Sequence, residues 1–378
     1  MYLLEHDAKE LLARRDVPVP AGCLVESADA LRSAVLPAGP WVVKGQIAAG
    51  GRGKAGIIRN AATPDEIHEH ASTILGSMVK GQRVASVRVE QQVRGARQAY
   101  IGILLDAGSG GVRVILSASG GMDIEQVPRE HIHSDVARPD MTSLVDCVRR
   151  LARKLPAEIA PSVREAGERA AQAFLDLEAV LIEINPLFVL DDGRWLAGDA
   201  KLVTDDNALP RQMAMESLVR TRAAAYADVA RKHEHGFDYV VVDPEGEIGL
   251  LTTGAGLSMM LIDELREAGL KPYNFLDIRT GGLRGETRRL VQVLKWIGEG
   301  RKVRVLLVNI FAGITDLGEF SRLLVEAIAA APQLRVPVVA RLVGNGLPAA
   351  RESLAGAGIA LHTDLDAALT AVREHLKK

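Results

Sequence analysis

Cysteine, aromatic rings and excess charge are scarce in this sequence of 378 residues, and each scarcity removes a class of function. The two cysteines, Cys23 and Cys147, have no CxxC spacing. That excludes a zinc or dithiol redox motif and argues against a disulfide framework. Aromatics make up 4% of the chain, too few for base-stacking platforms. Lys+Arg is 46 against Asp+Glu 48, a formal net charge of −2, so the basic footprint of non-specific nucleic-acid binding is missing. No apolar run is long enough to span a bilayer; the longest, 303–314, is broken by Arg304 and Asn309. The start, MYLLEHDAKELLARR, carries acidic residues in its first turns and lacks a signal-peptide core. The expectation is a soluble, cytoplasmic protein of two or three domains.

Glycine, by contrast, is abundant, with 36 residues. Such a chain can spend glycine on loops that approach phosphates closely. Residues 6–15 read as a helix stopped by Pro18 and Pro20. A strand at 41–47 runs into the glycine-rich loop Gly50-Gly51-Arg52-Gly53-Lys54, with a returning strand near Ile57 and Ile58. A helix follows over 64–78, with Thr63 as N-cap and Pro64 in its first turn. Strands at 84–90, 99–106 and 112–118, helices at 141–154 and 161–177, and a hairpin of 180–190 with 194–197 around Asp192 complete an α+β part. A single long helix over about 209–232 closes it. From His235-Gly236 the pattern becomes βαβα, which predicts a doubly wound parallel sheet. The expected domains are therefore 1–235 and 236–378.

Three places could hold chemistry. Lys44, late in a strand and followed by Gly51-Arg52-Gly53, suits nucleotide phosphates, since an ammonium and loop amides can point at phosphate oxygens. A solvated loop beside a snorkelling lysine fits the same residues equally well. In Ile182-Glu183-Ile184-Asn185, Glu183 and Asn185 share one strand face. With the hairpin centred on Asp192, Asn185 falls opposite Asp199. Two oxygen-bearing side chains meeting there suit Mg²⁺, which takes one or two carboxylates plus substrate phosphates. A plain cross-strand hydrogen-bonded pair is the alternative. Finally, Thr253-Gly254-Ala255-Gly256 and Gly313-Ile314-Thr315 each sit between a strand end and a helix, where two sets of amides can receive a carboxylate. None of the nine histidines falls in a metal-ligand spacing, and no nucleophile–base pair is visible, so a covalent step would need a group from elsewhere. A Rossmann oxidoreductase is a poor reading: Gly254-Ala255-Gly256 has no third glycine in register and no ribose-binding acid about 20 residues on.

The segments LLEHDAKELLAR, GPWVVKGQIAAGGRGKAG, SGGMDIE, LIEINPL, GDAKL, DNALPRQ, TGAGLSM, NFLDI, VLLVNIFAGI and PVVARLVGN together resemble the succinyl-CoA synthetase (succinate–CoA ligase) β subunit family over essentially the full length. The resemblance implies an ATP-grasp domain followed by a flavodoxin-like CoA-ligase domain. It also implies ATP, with GTP possible, and CoA as co-substrates, and Mg²⁺ as cofactor. Lys44, Gly51, Arg52, Gly53, Glu90, Val93 and Gln98 would then bind nucleotide, and Asn185 and Asp199 the metal. Glu183 would steady a phosphohistidine belonging to a partner α subunit, which also carries the CoA-binding domain, in an αβ or α2β2 assembly. Thr253, Gly313, Ile314 and Thr315 would hold the carboxylate. Several positions depart from the family pattern. A family Glu is Gln98, the Asn of NGAGL is Thr253, and GGIVR reads AGITD with Thr315 and Asp316. The stretch after NFLDI is about three residues longer and adds Arg279 and Arg284. Gln98 falls at the nucleotide site, whereas two of the other changes flank the expected carboxylate pocket and point to a substituted acid such as malate or a sulfonated short acid. A homologue that keeps nucleotide binding without catalysis is the competing expectation.

Overall fold

The computed structural model describes every residue except 122–123, 279–286, 314 and 378. The chain divides into two compact units, Met1–Leu218 and Val219–Lys378. The expected boundary near 235 lies further along, at the end of the helix Ala227–His235.

Among the described residues, the first unit contains two large antiparallel sheets and a two-stranded one, Met78–Val79 with Gln82–Arg83. One has the order Gly22–Val25, Ser86–Gln91, Trp41–Gln46, Ile58–Ala61. Helix Pro64–Ile74 packs on it through Ile67, Ala71 and Ile74, a stripe at helical spacing that meets Val43, Val87 and Val89. Thr63 caps this helix by accepting from the Glu66 amide, and Pro64 sits in its first turn, as expected. The other sheet runs Trp195–Ala197, Ala179–Val189, Arg97–Asp106, Gly111–Ser117, Ile132–Ala137, with Ala200–Thr204 continuing the hairpin along Ala179–Val189. Helices Met141–Ala152 and Ala160–Asp176 accompany it. The chain start is stitched to this hairpin: Leu3 N donates to Leu202 O and Tyr2 bridges Val203. That anchorage sets the direction of helix Glu5–Ala13.

In the second unit, strands Ile248–Thr252, Val305–Ala312, Val338–Gly344 and Leu361–His362 form a parallel sheet in that order. Strand Asn274–Asp277 lies alongside Ile248–Thr252: Tyr273 N donates to Ile248 O and Ile278 N to Thr252 O. Between those bonds the Asn274 side chain acts as a peptide group, accepting from Leu250 N and donating to Leu250 O, each at 2.9 Å. With that strand included, the parallel order is the flavodoxin-like 2-1-3-4-5. Leu306, Val308 and Ile310 face the helices Arg288–Gly298, Leu317–Ala329 and Leu347–Gly356. Val305 and Leu307 face Ala255–Glu267 and Leu365–Leu376, so the sheet is covered on both sides.

Two expectations need correction. The strand at 238–241 pairs antiparallel with Asn274–Asp277, as an edge strand outside the βαβ alternation; a strand pattern does not encode direction. The single helix over about 209–232 is instead Met213–Thr221 and Ala227–His235, preceded by a 3₁₀ segment Asp206–Arg211. Pro210, which lacks an N–H, accounts for the tight start; nothing in the structure explains the second break at 222–226.

The peptide-like role of Asn274 gives a direct test. Asn274→Ala leaves a buried N–H and a buried C=O of Leu250 without partners, at a cost of about 2–4 kcal/mol. Urea denaturation of the full chain should show that loss, and Asn274→Asp, which keeps only the acceptor, should lose nearly as much.

Candidate functional site

Five segments of the first unit converge on one point. Helix Glu5–Ala13 presents Glu5 and Lys9 one turn apart on a single face. Strand Trp41–Gln46 brings Lys44, and its neighbour Ser86–Gln91 brings Arg88 and Glu90 on alternate positions. The glycine-rich loop brings Arg52, and the hairpin brings Gly198 and Asp199. Gly198 cannot be anything larger: a Cβ there would lie 2.2 Å from the Phe188 ring. Its carbonyl accepts from both Lys9 Nζ and Lys44 Nζ, each at 2.8 Å.

The charges form one connected network. Lys44 Nζ bonds Glu5 Oε1 at 2.9 Å and pairs with Glu90. Lys9 Nζ lies 2.7 Å from both Glu5 and Glu90. Arg88 Nε donates to Glu90 Oε2 at 2.8 Å. Arg52 forks, giving one N–H to Glu5 Oε2 and another to Asp199 Oδ1, each at 2.6 Å. Burial alone would raise Glu5, but Arg52, Lys44 and Lys9 outweigh it and hold its carboxyl well below the usual range. Burial would lower Lys44, but Glu5, Glu90 and Asp199 keep it charged, with its pKa raised. Asp199 goes the other way: burial and the Glu5 charge push its carboxyl up, despite Arg52 and Lys44. Beside it, burial pushes the Tyr2 phenol up to about 12.

The hairpin keeps the expected register. Ile184 pairs with Ala200 and Leu187 with Ala197, and between them Asn185 N donates to Asp199 O. Ile182 and Ile184 are buried, while Glu183 and Asn185 take the other face. Glu183 pairs with Lys201, 3.9 Å away, and Asn185 Oδ1 accepts from Gly121 N at 2.7 Å. A hard cation fits this donor set: a neutral oxygen and a carboxylate share one face, and the carboxylate's environment demands a positive partner. Among the described residues no cluster of three or more His, Cys, Asp or Glu side chains suits a metal, so phosphate and water would complete the shell.

The other candidates are distributed as follows. Gly51 has φ +76°, which favours glycine, and no atom crowds Gly53. Val93 is half-buried in the connection after Ser86–Gln91, away from any regular element. Gln98 is exposed, next to the loop that carries Gly120 and Gly121; a Cβ on Gly121 would lie 1.9 Å from Gln98 Oε1. In the second unit, Thr253 is half-buried at the end of Ile248–Thr252, and the adjacent Gly254 N donates to Asp277 Oδ1 at 2.8 Å. Gly313 is exposed and Thr315 half-buried before helix Leu317–Ala329, which Asp316 caps. Ile314, Arg279 and Arg284 lie outside the described residues. Glu5, Lys9 and Arg88 are absent from the candidates drawn from sequence. The one available signal was charge at alternate positions of a β-branched run, as in Arg88-Val89-Glu90.

The family model described as ATP-grasp domain matches residues 2–189, and that described as CoA-ligase matches 251–374. A succinate–CoA ligase (ADP-forming) subunit beta from Chloroflexus aurantiacus is 37% identical over 362 residues, covering 94% of this chain and 93% of the relative. One from Cupriavidus taiwanensis is 34% identical over 374 residues, covering 95% and 94%. An ATP citrate lyase from Methanothrix soehngenii has the same fold, with a TM-score of 0.69 at 18% identity, covering 96% of this chain and 95% of that one.

The ion network predicts a pH signature. Glu5→Gln leaves Lys9, Lys44 and Arg52 with one buried anion fewer, at a cost of about 3–5 kcal/mol near neutral pH. Because the folded pKa of Glu5 lies below its unfolded value, its contribution is complete above about pH 4.3 and is lost as pH falls toward the folded value. Urea denaturation at pH 7 and below pH 4 should therefore show the variant converging on the wild type in acid; a constant gap would contradict the assignment.

Proposed function

This chain belongs to the family of succinate–CoA ligase (ADP-forming) β subunits, acid–thiol ligases, and we propose that it is the nucleotide-binding half of a two-chain enzyme. The observation that carries the reading is the convergence of Lys44, Arg52, Asn185 and Asp199 at one hairpin face. Residues 1–235 form the ATP-grasp part and 236–378 the CoA-ligase part. The reaction is carboxylate + CoA + ATP giving acyl-CoA + ADP + phosphate, with GTP as the alternative nucleotide. A partner α subunit supplies the CoA-binding domain and the histidine that carries the phosphoryl group.

Within this chain, Lys44, Arg52 and the amides around Gly51 and Gly53 hold phosphates, and Glu90, Val93 and Gln98 border the nucleoside. Gln98 can hydrogen-bond but brings no charge. Asn185 and Asp199 hold Mg²⁺. Held there, the ion would neutralise phosphate charge and help align the transferring group. Glu183, on the same face as Asn185, orients the incoming imidazole and offsets its developing charge. Main-chain N–H groups around Gly313–Thr315, with Thr253, receive the carboxylate. The hydroxyls of Thr253 and Thr315 favour a substrate with its own hydroxyl, because a site built to pair one rejects analogues that lack it.

Two experiments test this. The chain alone should bind Mg·ATP yet form no acyl-CoA, with turnover appearing on addition of a cognate α chain. In that complex Asp199→Ala should abolish metal-dependent turnover, and activity of the chain alone would overturn the half-enzyme reading. The second experiment is a panel of carboxylates offered to the complex. A hydroxylated or sulfonated short acid should exceed succinate in kcat/KM by at least about tenfold, roughly 1.4 kcal/mol of transition-state binding. A tenfold preference for succinate would assign the threonines no role in selectivity.

A further inference from the structure

The Arg52 guanidinium is bonded to the carboxylate that the proposed metal pair would use. It reaches Asp199 Oδ1 and Glu5 Oε2, both at 2.6 Å, and its side chain is 8% exposed. The two carboxylates it joins are not equivalent. Glu5 also has Lys9 at 2.7 Å and Lys44 at 2.9 Å, so it keeps two cations if Arg52 leaves. Asp199 has Arg52 as its one ion-pair partner among the described residues. The Asp199 side chain is 29% exposed but lies against the network, so losing Arg52 leaves its carboxylate without an ion-pair partner, and an arriving cation is the natural replacement.

The loop bearing Arg52 is suited to such an exchange. Gly51 adopts φ +76°, nothing crowds Gly53, and Ile57 N to Arg52 O is a long 3.4 Å bond. A guanidinium that forks two carboxylates also matches phosphate oxygens, but it cannot serve both at once. The second oxygen of the proposed metal pair is capped in the same way, with Asn185 Oδ1 taken by Gly121 N.

We propose that Arg52 is the internal counter-cation of Asp199 in the nucleotide-free chain, and that Glu5 is the positioning residue that holds it there. This rests on Asp199 being a metal residue, as argued above. A divalent cation takes the Asp199 oxygen only as Arg52 departs, and nucleotide phosphates give Arg52 its new acceptors. Metal and nucleotide therefore bind with positive coupling, each raising the affinity for the other by the same factor. The metal alone binds weakly because it must displace two charge-assisted hydrogen bonds.

The test uses Mn²⁺ alone as probe, titrated into the full chain and followed by electron paramagnetic resonance, then repeated with saturating ADP. Arg52→Gln should bind Mn²⁺ alone at least about tenfold more tightly than wild type, bind ADP more weakly, and lose most of the coupling between them. Glu5→Gln should shift Mn²⁺ affinity in the same direction by a smaller factor. A merely structural Glu5 would not tighten metal binding. Should Arg52→Gln bind Mn²⁺ no better than wild type while Asp199→Asn abolishes binding, the exchange is wrong and the metal reading survives. Should Asp199→Asn bind Mn²⁺ like wild type, the metal reading itself fails. A wild-type measurement avoids dependence on variant folding: saturating Mn²⁺ alone should accelerate amide hydrogen exchange across 50–57, and unchanged exchange would overturn the proposal.

Discussion

The carbonyl of Gly198, with the two lysines that donate to it, is the point on which the first unit's architecture depends. It joins three parts that no shared ladder connects: the first helix through Lys9, the four-stranded sheet through Lys44, and the hairpin of the other sheet through the carbonyl itself. A neutral acceptor alone could not hold two buried ammonium groups. Glu5 and Glu90 supply the countercharge, each shared between the same two lysines. Arg52 and Arg88 then extend the set. Four cations are bonded to three carboxylates, so the network as connected carries one positive charge in excess. That surplus is compatible with a nearby polyphosphate, since Lys9, Lys44 and Arg88 are held in position before any anion arrives.

Such a network is sensitive to register in a way an apolar core is not. A one-residue slip of Ala200–Thr204 against Ala179–Val189 would turn Asp199 and Lys201 to the face now held by Ala200 and Leu202. The apolar side opposes that slip, because Ala200 and Leu202 would leave the core. The buried face thus fixes the register, and the register fixes the charged face. Gly198 adds a steric condition, because its backbone passes against the Phe188 ring.

Much of this was legible in the sequence wherever one local rule decides the outcome. The side-chain period of two and a turn centred on Asp192 were enough to place Asn185 opposite Asp199. A threonine before Pro64 was enough to start a helix, and alternating β and α patterns were enough for the parallel sheet of the second unit. Features decided by distant partners were not legible. Glu5 and Lys9, four apart on an amphipathic helix, look like any solvent-exposed pair, and only the approach of Lys44 and Glu90 buries them. The role of Gly198 is a carbonyl's role, and a sequence does not display carbonyls. The antiparallel edge strand Asp238–Val241 has the same composition either way round. The alanine-rich stretch before Tyr226 has high helix propensity, yet it ends one helix and begins another.

In the second unit the described end of strand Ile248–Thr252 is organised mainly by hydroxyl groups. Thr252 Oγ1 donates to Leu276 O, and Ser258 Oγ lies 2.8 Å from Thr252 Oγ1 and 2.7 Å from Leu276 O. These hydroxyls tie the start of helix Ala255–Glu267 to the neighbouring strand without any charge. Asp277 then fixes the Gly254 amide, whose φ of +83° permits the turn. The contrast between the units follows from the ligands proposed for each. A polyphosphate carries several charges and is matched by fixed cations. A single carboxylate is matched well enough by amides at helix starts, and a dense cationic cluster there would hold the acid too tightly as a ground state to help its conversion. Among the described residues, a strand end tied by hydroxyls therefore suits a single carboxylate for the same physical reason that a charged network suits a polyphosphate.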